Sequence, residues 1–219
     1  MDHVQEVYDA LTNGQEVKPL RLMLLGTAGT GKTRAVQTLL QEIQDFCRSI
    51  GWSLDFVKAA APTGTASWNM RFNASTIHRL IHWFNPTFFS QITDQKRLHI
   101  FQGTLLHTKL VVLDEVSMIG RKMMARIDSR LEQATEGRNV TRESFGGMSM
   151  VCVGDPAQCE PIGDRSLIYN DLHKETVTKQ SAQKVILSNR GLELYSQFDK
   201  VVILTSVHRV NVIENPKNS

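Results

Sequence analysis

The chain has 219 residues, of which 41% are hydrophobic, so it can bury the core of one large domain or of two small ones. Its net charge of +3 permits a nucleic-acid partner without indicating one, and its three cysteines, which form no CxxC pair, favour a reducing compartment. The acidic start is unlike a signal or transit peptide, and no apolar run is long enough to cross a membrane. We therefore expect an intracellular protein without a membrane partner, nuclear or mitochondrial in a eukaryote and cytoplasmic in a bacterium.

An amphipathic helix is predicted at the start of the chain, because apolar residues recur there at helical spacing until Asn13-Gly14 ends the pattern. Gln5 lies in this helix. A glutamine upstream of a phosphate-binding loop can bind the edge of an adenine, whereas an exposed helical glutamine is usually just a solvated residue. Both interpretations of Gln5 stay open at this point.

A glycine-rich loop follows the apolar run 20–25 and leads into a segment with helical periodicity. Its residues are Gly26, Thr27, Ala28, Gly29, Thr30, Gly31, Lys32 and Thr33. Glycines let successive N–H groups face inward around phosphate oxygens, and the helix N-terminus adds its positive dipole end. Lys32 supplies a charge for the β- and γ-phosphates, and the Thr33 hydroxyl is a ligand for Mg²⁺. We therefore predict a P-loop, since a glycine turn without a nucleotide would not require this context.

A second buried strand is predicted at 54–60, and small residues follow it at 61–66. Small residues at the carboxyl end of a parallel strand let a ligand approach the backbone. Thr63 and Thr65 can then bond phosphate or sugar oxygens. Alternatively, this stretch is a strand-to-helix turn in which a threonine caps the helix.

The segment 71–109 is rich in basic and aromatic residues and contains four histidines. Such a mixture suits a surface that follows a nucleic-acid strand, where rings stack on bases and cations meet phosphates. However, Ile77, Leu80, Ile81 and Phe84 fall at helical spacing, so several of the aromatics are equally well explained as core. We do not expect His78 to bind a metal, because no cysteine or acidic cluster accompanies the histidines.

An apolar run at 110–113 predicts a strand buried on both faces, and it ends in Asp114-Glu115. In a P-loop protein an aspartate at this place holds Mg²⁺, and the adjacent carboxylate can polarise the attacking water. This is the Walker B pattern. A helix with its buried side at Met123, Met124, Ile127 and Leu131 is predicted next, followed by a polar loop at about 134–147.

A further strand is predicted at 149–153, after which Gln158 is placed to sense a γ-phosphate or to position water, unless the stretch is a plain Asp-Pro turn. We predict no regular structure for 164–190, a last strand at 201–204, and a tail or linker at 211–219. The alternation of strands and helical stripes predicts an α/β fold with a largely parallel sheet, helices on both faces, and function at the carboxyl ends of the strands.

Six motifs in order resemble the Pif/RecD-type branch of superfamily 1 DNA helicases. They are the loop from Gly26 to Thr33, Ala61-Pro62-Thr63-Gly64-Thr65-Ala66, Thr76-Ile77-His78, Asp114-Glu115-Val116-Ser117-Met118, Phe145-Gly146-Gly147 with Gly154-Asp155-Pro156-Ala157-Gln158, and Leu204-Thr205 with Arg209. The resemblance implies a RecA-like domain of a motor that uses ATP and Mg²⁺ to move 5′ to 3′ on single-stranded DNA, in repair, recombination or genome maintenance.

The resemblance also implies residue roles. Lys32 would bind phosphate, Thr33 and Asp114 would hold Mg²⁺, and Glu115 would activate water. Gln158 would couple the γ-phosphate to DNA, and Arg209 would contact the γ-phosphate. The DNA path would be lined by Pro62, Thr63, Gly64, Thr65, His78 and Arg79.

The domain organisation follows from the same resemblance. We expect a RecA-like domain at 1–210, with 71–109 as a basic and aromatic insertion, and a second RecA-like domain, with its arginine finger, that is missing from this chain. A lone first domain would bind ATP but hydrolyse it poorly. The alternatives are a non-catalytic module that binds nucleotide and DNA, and an unrelated small-molecule kinase.

Overall fold

The computed structural model of the chain describes residues 1–15, 17–85, 88–138, 143–167 and 182–206. Within these ranges six strands form one sheet in the order β3-β2-β4-β5-β1-β6, and each pairing between neighbours is parallel. The strands are β1 (Arg21–Gly26), β2 (Val57–Ala61), β3 (Ser75–Thr76), β4 (Leu110–Leu113), β5 (Ser149–Gly154) and β6 (Lys200–Leu204). The predicted α/β fold with a parallel sheet is confirmed.

Seven α-helices in the described ranges cover the two faces of this sheet. They are α1 (Asp2–Asn13), α2 (Lys32–Ser49), α3 (Gly64–Met70), α4 (Ile77–Leu80), α5 (Gln95–Thr104), α6 (Arg121–Thr135) and α7 (Ala182–Tyr195). Buried residues of α1, α2 and α3 belong to one apolar cluster, and those of α4, α5, α6 and α7 belong to a second. Helices therefore lie on both faces, as predicted. None of the helices in the described part of the chain is long and apolar enough to cross a membrane.

Strand β4 shows why the central strands are continuous apolar runs. Leu110 and Val112 belong to the cluster on the α2 side, whereas Val111 and Leu113 belong to the cluster on the α6 side. Side chains alternate between the two faces of a strand, so a sheet covered on both faces needs an apolar residue at each position. Strand β5 is buried along its whole length for the same reason.

Two sequence predictions about regular structure were wrong. The stretch 164–190, for which no structure was predicted, contains the first turns of α7. The sequence shows no clear apolar periodicity there, because two of the buried residues of α7 are Ser188 and Gly191, which are not apolar side chains. The second strand was also placed too early, since Leu54–Phe56 form a 3-10 turn whose cap is the Ser53 side chain.

Helix α7 approaches the start of α6 closely at Gly191, and this glycine provides a test of the packing. A Cβ atom built on Gly191 would overlap with the carbonyl group of Arg121. We expect Gly191→Ala to lower the free energy of unfolding by about 3 kcal/mol, because backbone would have to move. The control is Gly103→Ala in α5, where no described heavy atom lies within 4 Å of the added methyl group. That control should raise the free energy of unfolding by about 0.5–1 kcal/mol. Equal effects of the two variants in urea unfolding would contradict the close approach.

Candidate active site

The carboxyl ends of the parallel strands meet at one edge of the sheet. The register pairs Leu25 with Gly154 and Gly26 with Leu204, while Leu113 pairs with Cys152 and Ala60. The loops that follow β1, β2, β4 and β5 therefore leave the sheet side by side. These are the loops that contain the predicted P-loop, the threonine turn, the Walker B carboxylates and Gln158.

The predicted P-loop joins β1 to α2. Gly29 and Gly31 have φ of 81° and 87°, in the left-handed region that glycine adopts at little cost, and α2 begins directly after Gly31. Thr27, Ala28 and Gly29 are exposed, whereas the Thr30 hydroxyl donates to the carbonyl oxygen of Thr27 at 2.8 Å. The loop thus has a fixed, solvent-facing turn at a helix N-terminus, which is the geometry that binds phosphate.

Lys32 and Thr33 stand on the first turn of α2. The Lys32 ammonium donates to the carbonyl oxygens of Gly26 at 2.7 Å and Thr27 at 3.0 Å, so the side chain folds back over the loop. Thr33 is exposed beside it. Strand β6 packs tightly behind this loop, because a Cβ atom on Gly26 would lie 3.1 Å from Leu204. Glycine is needed there for the close approach.

The two Walker B carboxylates follow β4 and have different surroundings. Asp114 is buried, and one of its carboxylate oxygens accepts the N–H of Glu115 at 2.9 Å. Burial raises the pKa of Asp114, and the Glu115 N–H and the charge of Lys32 partly oppose this. Glu115 has φ of 53°, a conformation that is rare for residues other than glycine and clusters at functional sites.

Charged residues of three loops act on the pKa of Glu115. Burial raises the pKa of its carboxyl group, the charges of Asp114 and Asp155 raise it further, and the charge of Lys32 lowers it. Asp155 lies directly after β5, is buried, and accepts the N–H of Ala157 at 2.9 Å and the side-chain amide of Gln158 at 3.3 Å. The structure therefore brings Lys32, Asp114, Glu115 and Gln158 together, with Asp155 as the link to Gln158.

Asp155 is the residue of this site that sequence reasoning left without a role. The sequence left open whether the stretch is a site for Gln158 or a plain Asp-Pro turn. The structure shows a turn that Asp155 holds, with the Gln158 amide bonded to it, and the role of Gln158 stays a prediction. A signal was available, since an aspartate directly after a buried strand and three residues before a polar amide is well placed to orient that amide.

The residues at this edge fit a nucleotide with Mg²⁺ better than a metal held by protein alone. The described residues contain no group of three or more histidine, cysteine, aspartate or glutamate side chains that could hold a metal ion. Mg²⁺ usually takes one or two carboxylates together with phosphate oxygens and water. The exposed hydroxyl of Thr33 and the carboxylate of Asp114 are a donor set of this kind.

The predicted DNA-lining residues lie on two neighbouring turns. Thr63 is the N-cap of α3, and its hydroxyl accepts the N–H of Ala66 at 3.2 Å, so the capping interpretation holds in this structure. Pro62 is half-buried, and Gly64 and Thr65 are exposed at the start of α3. On the next turn, His78 is half-buried in α4 and Arg79 is exposed.

The aromatic segment divides between core and surface. Trp83 and Phe101 are buried in the apolar cluster on the α6 side, as the core interpretation predicts. Phe84, which was placed in the buried stripe with Ile77, is instead 75% exposed, and Phe88 is 68% exposed. Phe84 leaves the stripe because the chain departs from the helix at His82, which has φ of 48°.

Two half-buried histidines in this segment give a prediction about acid stability. Burial lowers the pKa of His78 and of His82, and the charges of Arg126 and Arg130 lower them further. The folded chain therefore resists protonation at these rings more than the unfolded chain does. Their contribution to stability is present above the usual histidine pKa and is lost as the pH falls below it.

We expect the free energy of unfolding to fall between about pH 8 and pH 5. The variant His82→Asn, which tolerates the positive φ, should make that fall smaller by removing one protonation. The measurement is urea unfolding of both proteins across this pH range. An identical pH dependence in the two proteins would contradict the assignment to His82.

Two predicted site residues are not placed at this edge. Gln5 is exposed on α1, and its side chain donates to Asp9 at 2.8 Å. The neighbouring His3 lies 2.8 Å from the Ser149 hydroxyl at the start of β5, which is the opposite edge of the sheet. The structure therefore does not bring Gln5 to the P-loop. Arg209 and the predicted tail at 211–219 lie outside the described residues.

A family model described as an AAA domain matches residues 11–164 of the chain. No curated protein matches the sequence significantly. Among solved structures, the Pif1 helicase from Candida albicans has a TM-score of 0.61 and 18% sequence identity, over 94% of this chain and 39% of that one.

Two Bacteroides structures are similar to the same extent. Bacteroides Pif1 bound to ssDNA has a TM-score of 0.55 and 22% identity, over 93% of this chain and 41% of that one. Pif1 helicase from Bacteroides in complex with ADP-AlF3 and ssDNA has a TM-score of 0.53 and 20% identity, over 94% and 42%. This chain thus spans about two fifths of the length of these proteins.

Proposed function

We infer the function from the family, because the chain belongs to the AAA domain family and has the fold of the Pif1 helicases over nearly all of its length. The resemblance that the motifs predict is thereby confirmed for family and fold. We propose that the chain is the ATP-binding motor domain of a DNA helicase that moves 5′ to 3′ on single-stranded DNA.

One observation carries the nucleotide part of this proposal. Lys32 is more than 80 residues from the adjacent pair Asp114-Glu115 in sequence, yet its charge lowers the pKa of both carboxyl groups at one edge of the sheet. A partly buried cluster of this kind, next to a glycine loop at a helix N-terminus, suits hydrolysis of a nucleoside triphosphate. The Bacteroides structure with ADP-AlF3 supports ATP as the nucleotide.

Each residue has a role in the proposed chemistry. The N–H groups of the P-loop and the Lys32 ammonium bind the phosphates, with Lys32 exchanging the carbonyl oxygens of Gly26 and Thr27 for phosphate oxygens. Thr33 and Asp114 would hold Mg²⁺, which when bound neutralises phosphate charge. Glu115 accepts the proton of the attacking water, and its raised pKa makes it a better base than an exposed carboxylate.

Gln158 can couple a change at the γ-phosphate to a movement of the loop after β5. Its side-chain amide is bonded to Asp155, and the charge of Asp155 acts on Glu115. A change at the γ-phosphate can therefore shift the loop after β5. We propose that Arg209 completes the contacts to the γ-phosphate.

Single-stranded DNA is the proposed track. The Bacteroides proteins are bound to ssDNA, and the threonine turn and His78 follow neighbouring strands at the same edge as the P-loop. A role in repair, recombination or genome maintenance, inside the cell, stays part of the proposal.

A second RecA-like domain is the proposed partner of this one. Within the described residues β6 pairs with β1 alone, and Val201, Val202 and Ile203 are 54%, 46% and 64% exposed. An apolar strand at an open edge suits a covered surface better than a solvent-facing one. An arginine finger from another domain raises hydrolysis rates by about 10³ to 10⁵, so this chain alone should turn over ATP slowly.

The test is whether single-stranded DNA and ATP bind to the chain together. We expect a fluorescent ATP analogue to bind in the presence of Mg²⁺, and an oligothymidine to change its affinity, while small metabolites leave that affinity unchanged. A metabolite that changes nucleotide affinity, with no effect of DNA, would favour a small-molecule kinase and overturn the proposal.

A further inference from the structure

Two arginines one turn apart on α6 stack on aromatic side chains and share the Phe89 ring. The guanidinium carbon of Arg126 lies 4.8 Å from the centre of the Trp83 ring and 5.9 Å from that of Phe89. The guanidinium carbon of Arg130 lies 4.7 Å from the centre of the Phe89 ring. Both arginines are therefore held by ring contacts, which fix the orientation of a guanidinium plane.

The two guanidinium groups differ in their hydrogen bonds. Arg130 donates to the side-chain oxygen of Gln133 at 2.7 Å and to the carbonyl oxygen of Ser90 at 2.8 Å. Within the described parts of the chain, Arg126 makes no hydrogen bond or ion pair. The Nε atoms of both arginines are buried without a partner, so the two side chains differ at their terminal Nη groups. The Nη groups of Arg130 are thus used within the fold, whereas those of Arg126 are available to a ligand.

The carboxylate of Asp164 does not bond to Arg126. Asp164 acts on Arg126 electrostatically, but its two oxygens accept the backbone N–H groups of Met123 at 3.1 Å and Arg165 at 2.8 Å. Lys122 also lies 3.6 Å from this carboxylate. The positive charge of Arg126 therefore remains largely uncompensated by the protein.

The aromatic rings that Arg126 contacts are packed against a predicted DNA-lining residue, His78. The His78 ring stacks on Trp83 with ring centres 4.7 Å apart and planes 25° from parallel. Burial and the charge of Arg126 lower the pKa of His78, which favours the uncharged form of this ring. Trp83 is fixed in turn by donating its indole N–H to the carbonyl oxygen of Phe88 at 3.1 Å. Arg126 is therefore the cation of this cluster, and it adjoins His78.

We propose that Arg126, stacked on Trp83 beside His78, binds a backbone phosphate of single-stranded DNA. This inference rests on the proposed function. A guanidinium whose face is covered by a ring presents its edge, and that edge matches two phosphate oxygens in a planar, bidentate contact. The position is new relative to the sequence motifs, because Arg126 lies in the middle of α6, where an arginine ordinarily indicates a solvated helix face.

The test is the affinity of the chain for a fluorescein-labelled oligothymidine, measured by anisotropy over a series of salt concentrations. We expect Arg126→Met to weaken binding about five- to tenfold at low salt and to reduce the slope of log K against log salt by about 0.7, the value for one single-strand phosphate contact. Methionine keeps an apolar contact with Trp83, so the fold should persist. The matched control is Arg48→Met at the end of α2, which removes the same charge where Arg48 pairs with Asp45.

The outcomes separate this inference from the proposed function. If the wild-type chain does not bind the oligothymidine, both are overturned. If the wild-type chain binds and Arg126→Met has the same affinity and salt slope, or if Arg48→Met is weakened equally, the phosphate contact at Arg126 is overturned. Should Arg126→Met fail to fold, Arg126→Lys serves in its place. Lysine should keep the salt slope but bind more weakly than wild type, because it lacks the bidentate edge, and an affinity equal to wild type would contradict the proposal.

Discussion

Replacing Lys32 with alanine is expected to weaken binding of Mg²⁺-ATP by about a hundredfold or more. The ammonium is a charged donor at the base of the P-loop, and a hydrogen bond to a charged group is worth about 1.5–3 kcal/mol, so losing the contacts to both the β- and γ-phosphates gives an effect of this size. In the structure it already reaches across the loop to the carbonyl oxygens of Gly26 and Thr27, so it is aimed at the space that the loop encloses. The measurement is titration with a fluorescent ATP analogue.

The control for this prediction is Lys18→Ala. Lys18 is exposed, pairs with Asp199 at 3.3 Å, and lies just before β1, away from the carboxyl ends of the strands. Lys18→Ala removes the same charge as Lys32→Ala but away from the P-loop. Its ATP affinity should therefore equal that of wild type. Unfolding curves of both variants check that the fold persists. Micromolar ATP affinity in Lys32→Ala would argue against the P-loop assignment.

Replacing Glu115 with glutamine is expected to preserve ATP binding and to lower residual turnover by about a hundred- to ten-thousandfold. Glutamine keeps the shape of the side chain but cannot accept a proton from water. The positive φ at Glu115 is retained, since the loop after β4 is held by the hydrogen bond from the Glu115 N–H to Asp114. Because turnover by this chain should be slow, the measurement uses single-turnover conditions with protein in excess.

Glu42→Gln on the exposed side of α2 is the matched control, and its turnover should equal that of wild type. Asp155→Asn is an informative companion, because the charge of Asp155 helps to raise the pKa of Glu115. Unchanged turnover in Glu115→Gln, with unchanged ATP affinity, would place the water-activating role on another residue.

The parts of the site that sequence could predict are those with strictly local requirements. The P-loop needs glycines at positions with positive φ directly before a helix, and Gly29 and Gly31 adopt that geometry. Asp114-Glu115 needs a strand buried on both faces, and β4 is such a strand. In each case the residue types and their neighbours in sequence contain the whole physical requirement.

The parts that sequence could not predict depend on contacts between distant segments. Helix α7 buries Ser188 and Gly191 as well as apolar residues, so the apolar periodicity of its sequence is weak. Its buried face becomes evident only from its packing in the folded chain. Arg126 and Arg130 are both arginines on α6. They differ because the guanidinium of Arg130 donates hydrogen bonds to Gln133 and Ser90, and sequence does not reveal these contacts. Gln5 lies upstream of the P-loop in sequence, yet α1 places it toward the other edge of the sheet.

The most direct test of the central claim, that this chain is an ATP-binding motor domain requiring a second domain for efficient hydrolysis, combines two readings on one sample. The first is the affinity for a fluorescent ATP analogue, and the second is the ATP hydrolysis rate with and without single-stranded DNA. We expect Mg²⁺-dependent binding together with very slow hydrolysis that DNA does not accelerate. Failure to bind the analogue, or rapid hydrolysis stimulated by DNA, would contradict the claim, the latter because a finger residue would then be present in this chain or in a second copy of it.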